Sequence, residues 1–361
     1  MPESNAKDHY IATPESLEAW LSRLPSHDGV RVALDTEADS LHSYREKLCL
    51  IQMGVGEMKA LIDPLGIEDL SPLVSYLDRA EIWVHGADLD MTLMKRSFNN
   101  IPERIYDTQV AARLAGERHF GLAHLVENKF GVALSKQSQR ADWGRRPLTD
   151  KMIEYALNDV HYIIPLADGF LARLRELGRE EWFLESCADA RLSVLNRPAP
   201  DPDEQWRING SGALKPCGLH YLRTFWRWRD REAERINRPS FKIISNAELL
   251  AFATAMQEGR EVTLPDRYPP PFHRRFYRAL KEAREAPEAD WPHRPSRRRT
   301  ERNPEAERRF DLLKEKRDRT GAELNIDPSL IGSRAVLERI AEDEAVAGEL
   351  LLNWQRKLMG L

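Results

Sequence analysis

The segment "VALDTEADSL" at residues 32–41 is a short hydrophobic run that ends on two carboxylates, Asp35 and Glu37. Val32, Ala33 and Leu34 predict a buried strand. Side chains alternate between the two faces of a strand, so Asp35 and Glu37 share one face and repel each other. Buried acids are costly unless a positive group compensates them. The segment is therefore either a strand end with solvated acids or part of a cation site.

The length and composition restrict the class of protein. A chain of 361 residues, 42% hydrophobic and 31% charged, can form two or three domains with a sizeable core. It contains no run of the ~18 apolar residues that span a bilayer, and "MPESNAKDHY" lacks the pattern of a signal peptide. Cys49, Cys187 and Cys217 are scattered, without metal-ligand spacing. We expect a cytoplasmic protein without membrane contact and with no obligate protein partner.

The first half of the chain alternates strand and helix patterns. Short β-rich runs bounded by turn residues predict four strands, in "VRVALDT", "LCLIQMGV", "MKALIDP" and "IWVHG". Helical spacing follows in "LDMTLMKRSF", "TQVAARLAG" and "LAHLVENKFG", and a longer helix capped by Thr149 is predicted in "KMIEYALNDVHYIIPLADGFLARLREL". This order predicts an α/β domain with a mixed sheet packed by helices.

The second half reads as two small helical modules joined by linkers. Proline and acid-rich "LNRPAPDPDEQW" predicts a linker near residues 197–205, and a second, Pro-rich linker at 286–307 carries five arginines between 294 and 302. Helical modules are predicted at 206–285 and 308–361. Residues 201–361 hold 31 Lys and Arg against 27 acids, an excess that suits contact with a polyanion, whereas residues 1–200 are acidic.

A third acid of interest follows the strand "IWVHG". Asp88 stands where a helix N-cap belongs, and Asp90 lies in the first turn, where the helix dipole favours a negative charge. Both residues therefore have a purely structural interpretation, which we favour for Asp88. For Asp90 a structural and a functional role remain open.

Tyr155 and Asp159 in "YALNDV" are four residues apart on a predicted helix and share one face. Four carboxylates and a tyrosine that converge on one site suit two divalent cations. Oxygen ligands without His or Cys favour Mg²⁺ or Mn²⁺ over Zn²⁺. Two such ions can activate a water and stabilise the leaving oxygen in phosphodiester hydrolysis. Tyr155 would remain protonated and orient the attacking water.

These motifs, in this order, resemble the ribonuclease D family, in the tyrosine branch of the DEDD exonuclease superfamily. "LDTEADSL…LCLIQ" is similar to its first motif, "HGADLDMTLM" to its second and "YALNDV" to its third. The histidine branch is disfavoured because its histidine would stand where Glu154 is found. "DTEA" replaces the more usual "DTEF" at a position that does not ligate metal.

The resemblance implies a ribonuclease-H-like α/β exonuclease domain at 1–196, followed by two small all-α HRDC-like domains at 206–285 and 308–361. It also implies that Asp35, Glu37 and Asp159 hold one ion, that Asp35 bridges to a second ion, and that Asp90 lies nearby. The implied activity is 3′→5′ hydrolysis of RNA to nucleoside 5′-monophosphates. The implied partners are tRNA precursors and other small structured RNAs with a free 3′ end. The alternatives are a DNA exonuclease of the proofreading or repair type and a non-catalytic RNA-binding scaffold.

Basic and aromatic residues before Tyr155 are candidates for holding the RNA. "RADWGRRPL" offers a tryptophan and three arginines, which suit base stacking and phosphate contacts; they are Arg140, Trp143, Arg145 and Arg146. A packing tryptophan and a solvated arginine pair is an equally good interpretation. The tryptophans of "RTFWRWRDR", two residues apart on a helix, cannot both face the same side, so at least one is expected in the core.

Overall fold

The computed structural model describes residues 9–293 and 303–361. These residues form two compact units. The first contains residues 9–38, 47–197 and 303–361, and the second contains residues 39–46 and 198–293. The arginine cluster predicted at 294–302 lies outside the described residues. None of the described helices is both long and apolar enough to cross a bilayer.

A mixed six-stranded sheet organises the first unit. Its strands are β1 (Tyr10–Ile11), β2 (Arg31–Ala38), β3 (Leu48–Val55), β4 (Met58–Ile62), β5 (Glu81–Val84) and β6 (Ile105–Asp107). They lie in the order β1-β4-β3-β2-β5-β6. β3 pairs antiparallel with β2 and β4, and the remaining pairs are parallel. The four strands predicted from β-rich runs are confirmed; the very short β1 and β6 were not predicted.

Eight helices of the first unit precede residue 197. They are α1 (Pro14–Leu21), α2 (Ser71–Leu77), α3 (Asp88–Phe98), α4 (Thr108–Leu114), α5 (Leu122–Phe130), α6 (Asp150–His161), α7 (Ile163–Glu176) and α8 (Glu180–Asn196). Thr149 caps α6, as predicted, by accepting a hydrogen bond from the Met152 N–H. The single long helix predicted from residue 151 is wrong, because it breaks at Tyr162. Pro165, in the first turn of α7, has no N–H to donate to the His161 carbonyl and would clash with it in a continuous helix, so α6 cannot run unbroken into α7.

The alternation of side chains along β2 distributes its residues between two hydrophobic clusters. Val32 and Leu34 face a core that also contains residues of α1, α2 and α3. Ala33 faces the other side and packs with residues of α4, α7 and α8. Asp35 and Glu37 follow Ala33 at intervals of two, so they share its face. Helix α6 packs on this face, against β2, β3 and β4.

The C-terminal segment completes the core of the first unit. It contains α13 (Pro304–Leu324), α14 (Arg334–Glu342), α15 (Ala347–Leu350) and α16 (Asn353–Met359). Residues 308–361 are predicted from the sequence to form a separate domain, whereas Ile331, Leu337 and Trp354 are buried in one cluster with Phe183 of α8. Helix α13 itself buries only Ala306 and Gly321, so it cannot form a large core alone. The segment therefore shares part of its core with the helices that precede residue 197, and it has a smaller cluster of its own around Ile340, Ala347 and Leu351.

The second unit is helical. Its helices are α9 (Pro216–Arg235), α10 (Ser240–Ile243), α11 (Asn246–Gln257) and α12 (Pro270–Glu285). Phe225, Trp228 and Phe276 form the centre of its core. Trp228 is buried and Trp226 only partly so, which confirms that one of these two tryptophans belongs to the core. The loop 39–46 between β2 and β3 also belongs to this unit, a boundary that the sequence did not indicate.

Candidate active site

The strand β2 presents Asp35 and Glu37 at its carboxyl end. Asp35 lies directly opposite Gln52 of β3, and Glu37 lies opposite Leu50. The pairing register shifts between Glu37 and Ala38, and such a bulge bends the strand and ends regular pairing. Both carboxylates are half-buried at the point where the sheet opens.

Helix α6 brings Asp159 to the two strand acids. A carboxylate oxygen of each of Asp35, Glu37 and Asp159 lies within 4.8 Å of the others. Asp159 reaches this position because Ile153 and Ala156 of the same helix pack on Leu50 and on neighbouring strand residues. Three hard oxygen donors at such a spacing form a site for a divalent cation.

The electrostatics of the cluster also indicate a cation site. Burial, followed by the charges of Asp90, Asp159 and Glu37, raises the pKa of Asp35 well above its usual range. Burial and the neighbouring acids raise the pKa of Glu37 to about 9. Burial raises the pKa of Asp159 to about 7. Since these groups resist ionisation together, a positive charge between them would stabilise the fully ionised cluster.

Asp90 approaches the cluster from α3. Its side chain is buried, and its Oδ1 accepts a 2.6 Å hydrogen bond from the Thr36 hydroxyl. Burial raises the pKa of Asp90 to about 7, against the opposing effect of the Thr36 hydrogen bond. Asp90 is not one of the three acids within 4.8 Å of one another, but its charge raises the pKa of Asp35 and Glu37. It therefore lies beside the cluster rather than within it.

The helix cap proposed for Asp88 is wrong. Helix α3 begins at Asp88 with Ala87 as its N-cap, and the Asp88 side chain makes an ion pair with Arg197 at 2.5 Å. The N–H groups of Gly86 and Ala87 instead donate to Asp107, each at 2.9 Å. Asp107 thus holds the turn that precedes α3, and no side chain among the described residues caps the helix itself.

Tyr155 precedes Asp159 by one helical turn and lines the same cavity as the acids. Burial, followed by the nearby charge of Asp159, raises the pKa of the Tyr155 hydroxyl above its usual value. The hydroxyl also donates a hydrogen bond to Asp159. It is therefore a hydrogen-bond donor at neutral pH, and it cannot act as an anionic base.

The acids open into a cavity of about 540 Å³. Segment 121–139 forms a large part of its wall, through His124, Leu134, Lys136 and Gln139. Lys136 is the one Lys or Arg among the described residues that line this cavity. These residues were not predicted from the sequence: segment 132–140 has no periodicity or known spacing that would single out Leu134, Lys136 and Gln139, and His124 lies within an ordinary helical pattern.

The four substrate candidates near residue 143 do not line this cavity. Trp143 is 1% exposed, and its ring lies 6.0 Å from that of Tyr155. Arg146 donates to both carboxylate oxygens of Asp63, each at 2.6 Å, and to the Cys49 carbonyl. The expectation that these two side chains hold substrate is corrected, since burial and ion pairing occupy them.

The other two candidates, Arg140 and Arg145, are exposed side chains. Because both side chains lie on the surface, a contact between them and RNA stays a proposal.

Two further polar residues lie near the acids, His85 in the wall of the cavity and Gln52 opposite Asp35 on β3. His85 shares a 2.8 Å hydrogen bond with the Thr108 hydroxyl, which itself donates to the Val84 carbonyl. The Thr108 proton is thus committed to Val84, so the His85 Nδ1 must be the donor to Thr108. Gln52 is fully buried beside Asp35, and its amide has no hydrogen-bond partner among the described residues.

Comparison with known proteins agrees with this geometry. A family model described as a 3′-5′ exonuclease matches residues 9–175. A ribonuclease D from Xanthomonas oryzae pv. oryzae is 30% identical over 360 residues, which are 97% of this chain and 96% of that protein. The chain belongs to the ribonuclease D family. It is accordingly a hydrolase of the 3′→5′ exoribonuclease class.

Other members of the ribonuclease D family align over different lengths. The ribonuclease D of Cronobacter turicensis is 38% identical, over 56% of this chain and 55% of that protein, so this alignment spans about half of the relative. The crystal structure of Escherichia coli RNase D, titled an exoribonuclease involved in structured RNA processing, superposes with a TM-score of 0.72. It is 25% identical, and the match covers 97% of this chain and 98% of that chain. The likeness extends through the helical C-terminal part.

Proposed function

We propose that this member of the ribonuclease D family removes nucleotides from RNA 3′ ends as nucleoside 5′-monophosphates, with two divalent cations bound at Asp35, Glu37, Asp90 and Asp159. The observation that carries the proposal is the convergence of three carboxylates within 4.8 Å at the mouth of a polar cavity. Raised carboxyl pKa values support it, because such a cluster gains stability from bound cations.

The donor set fits Mg²⁺ or Mn²⁺. Asp35, Glu37 and Asp159 offer only carboxylate oxygens, the ligands that these hard cations prefer. Asp35, at the centre of the electrostatic network, is the acid best placed to be shared between two ions, and Asp90 would complete the second position. Bound divalent cations would supply positive charge to a phosphodiester and favour ionisation of a water.

The remaining residues orient the substrate and the water. Tyr155, protonated and one helical turn from Asp159, donates its one proton to that carboxylate, so its hydroxyl oxygen is placed to accept a hydrogen bond from the attacking water and orient it. Lys136 is placed to bind a phosphate of the RNA inside the cavity. These two contacts would hold the terminal phosphodiester in position for in-line attack.

The proposed substrates are tRNA precursors and other small structured RNAs, in keeping with the involvement of the Escherichia coli relative in structured RNA processing. We propose that the second unit and the C-terminal helices are HRDC-like modules that bind the structured part of the RNA. Arg140 and Arg145 remain candidates for contact with its single-stranded end. A cytoplasmic location stays a prediction from the sequence.

The test uses a 5′-labelled tRNA precursor with a short 3′ trailer, incubated with Mg²⁺ or Mn²⁺ and with wild type, Asp35→Asn or Asp28→Asn. Asp28 is an exposed acid outside the site, so its substitution controls for the loss of one carboxylate. We expect wild type and Asp28→Asn to give a ladder shortened from the 3′ end, and Asp35→Asn to give none.

Two outcomes would overturn the proposal. Intact RNA binding without shortening in either metal would favour a non-catalytic scaffold. Faster shortening of a labelled DNA strand of the same sequence would favour a DNA exonuclease.

A further inference from the structure

Helix α12 divides its residues between a buried face and a basic face. The helix is amphipathic. Phe272, Phe276 and Leu280 are buried in the core of the second unit. On the opposite side, four exposed side chains follow the spacing i, i+3, i+4 and i+7 that places residues on one helical face. We call this set the α12 stripe; it consists of Arg274, Tyr277, Arg278 and Lys281.

The cations of the α12 stripe are poorly neutralised within the protein. Arg278 and Lys281 lie 4.0 and 3.8 Å from Glu282 and Glu285, in ion pairs whose side chains are all at least 66% exposed. Exposed pairs of this kind contribute little stability. Arg274 has no partner among the described residues. Like charges one turn apart also repel each other, so these cations contribute little to the stability of the helix.

Other arginines of the same helix are used differently. Arg275 donates to the buried carboxylate of Glu232, with Nη2 at 2.8 Å, and Arg284 pairs with Glu261 at 2.6 Å. These two arginines face neighbouring helices or loops and have structural partners. The contrast shows that α12 is not merely rich in basic residues, because only its outward face leaves cations without strong partners.

An exposed aromatic side chain stands among these cations. Tyr277 is 41% exposed. Its ring packs edge-on against Phe276 and lies 6.2 Å from that of His273, so both neighbours restrict its motion. Aromatic rings flanked by cations are the combination by which proteins hold nucleic acids, with phosphates bound by the cations and a base or ribose against the ring.

We propose that the α12 stripe is a contact surface for the RNA backbone of the substrate, with Tyr277 packed against a nucleotide and Arg274, Arg278 and Lys281 bound to phosphates. The partner is RNA because the surface pairs three cations with an accessible ring, which fits a polyanion that carries aromatic bases. The inference rests on the proposed function, since it takes structured RNA as the substrate. It adds a binding surface outside the cavity of the nuclease unit.

The first test measures binding by the full chain without hydrolysis, with a chelator present. A triple variant, Arg274→Gln, Arg278→Gln and Lys281→Gln, removes the three charges and keeps good helix formers. The matched control, Arg231→Gln, Lys242→Gln and Arg260→Gln, removes three exposed charges elsewhere in the same unit. The probe is a tRNA precursor with a 3′ trailer.

We expect the stripe variant to raise the Kd roughly 10- to 100-fold at ~0.15 M salt and to lower the salt slope by ~2 to 3, because each phosphate contact releases counterions. The control should change neither quantity. An unchanged Kd and slope in the stripe variant, or an equal loss in the control, would overturn the proposal. The melting temperature of the stripe variant should stay close to that of wild type, because the lost exposed ion pairs and the relieved repulsion are both weak.

Tyr277 allows a second, uncharged test. Tyr277→Ala should raise the Kd at least about fivefold, whereas Tyr277→Phe, which keeps the ring, should bind as wild type does. Phe241→Ala, at a 53% exposed aromatic residue of the same unit, is the matched control and should leave the Kd unchanged. If Tyr277→Ala and wild type bind the tRNA precursor with equal affinity, the Tyr277 ring is not part of the proposed surface.

Hydrolysis separates this proposal from the proposed function. The stripe variant should cleave a short oligoribonucleotide at the wild-type rate, because such a substrate reaches only the cavity, while its KM for the structured precursor rises. If wild type cleaves no RNA, the proposed function fails although the binding comparison still stands. If wild type cleaves RNA and the stripe variant retains wild-type KM on the precursor, the surface proposal alone fails.

Discussion

The hydroxyl of Thr36 donates a 2.6 Å hydrogen bond to Asp90, a residue 54 positions later in the chain. Thr36 lies between the two acids of β2 and faces the opposite side of the strand, towards α3. The strand that carries Asp35 and Glu37 therefore also fixes the fourth carboxylate. Residues 35–37 of β2 thus carry two acids on one face and donate a hydrogen bond to a third acid, Asp90, from the other.

Thr36→Val keeps the branched shape but removes the donor to Asp90. We expect a loss of activity of about 10- to 100-fold and a higher requirement for Mg²⁺, because residues that orient metal ligands have effects of this size. The measurement is the rate on a labelled RNA across a Mg²⁺ titration. Thr36→Ser, which restores the hydroxyl, should recover most of the rate. Full activity of the valine variant would show that the hydrogen bond is dispensable.

The acid cluster predicts how stability depends on pH without metal. Burial raises the pKa of Glu37 from 4.5 to about 9 and that of Asp159 from 3.8 to about 7. Between those values the folded protein binds more protons than the unfolded chain, so the free energy of unfolding falls as pH rises. We expect the melting temperature in a chelator to decrease between pH ~5 and ~9.

Metal should reverse this trend, since the ligands bind as carboxylates. The increase in melting temperature on adding Mg²⁺ should grow with pH. Asp159→Asn should flatten both effects, and Asp168→Asn, at an exposed acid of α7, should leave them unchanged. A Mg²⁺ effect independent of pH, or a metal-free protein that gains stability across this window, would contradict the assignment.

Arg146 is predicted to stabilise the fold, in contrast to its neighbour Arg145. Its guanidinium binds both oxygens of Asp63, whose side chain is 5% exposed. Arg146→Ala would leave a buried carboxylate without its cation and should lower the free energy of unfolding by about 3 kcal/mol. Arg145→Ala, at an exposed position, should change it by less than ~0.5 kcal/mol. Equal stabilities in urea unfolding would refute the structural role.

We expect the C-terminal helices to unfold together with the rest of the first unit, in one transition. The rings of Trp182 and Trp354 stack at 5.0 Å, and Arg179 donates to the Leu324 carbonyl at 2.8 Å. Trp354→Ala should lower the free energy of unfolding by about 3–5 kcal/mol, whereas Leu312→Ala, 61% exposed on α13, should have little effect. A separate, early unfolding transition of the C-terminal segment in the Trp354 variant would show that it folds independently.

The sequence predicted the elements whose signals are local. Four strands were predicted because β-rich runs lie between turn residues, and Asp35 and Glu37 because their spacing places both acids on one face of a strand. Asp159 was predicted from its helical spacing to Tyr155 and from the order of this motif after the other acids. The structure brings these three acids together. The roles of the acids and of Tyr155 remain proposals that the variants above can test.

Features that depend on contacts between residues far apart in the chain were not predicted from the sequence. The role of Arg146 depends on Asp63, 83 residues away, and the placement of the C-terminal helices depends on Trp182. No local pattern specifies such pairs. Trp143 was ambiguous for a related reason: an aromatic residue in a basic loop suits both stacking on RNA and packing against the core. The burial of Trp143 in a hydrophobic cluster, with its ring beside Tyr155, decides for packing.

Lys136 gives the last prediction, because it is the one lysine or arginine among the described residues that line the acidic cavity. Lys136→Gln should lower kcat/KM on a short single-stranded RNA by about tenfold or more, since a charge-assisted contact with phosphate is lost. Raising the salt concentration should narrow the difference between the variant and wild type, because the wild-type contact is screened. Lys242→Gln, at an exposed lysine of the second unit, should retain wild-type kinetics. A Lys136 variant with wild-type kinetics at low salt would exclude this side chain from phosphate binding and direct attention to Gln139 and His124 on the same wall.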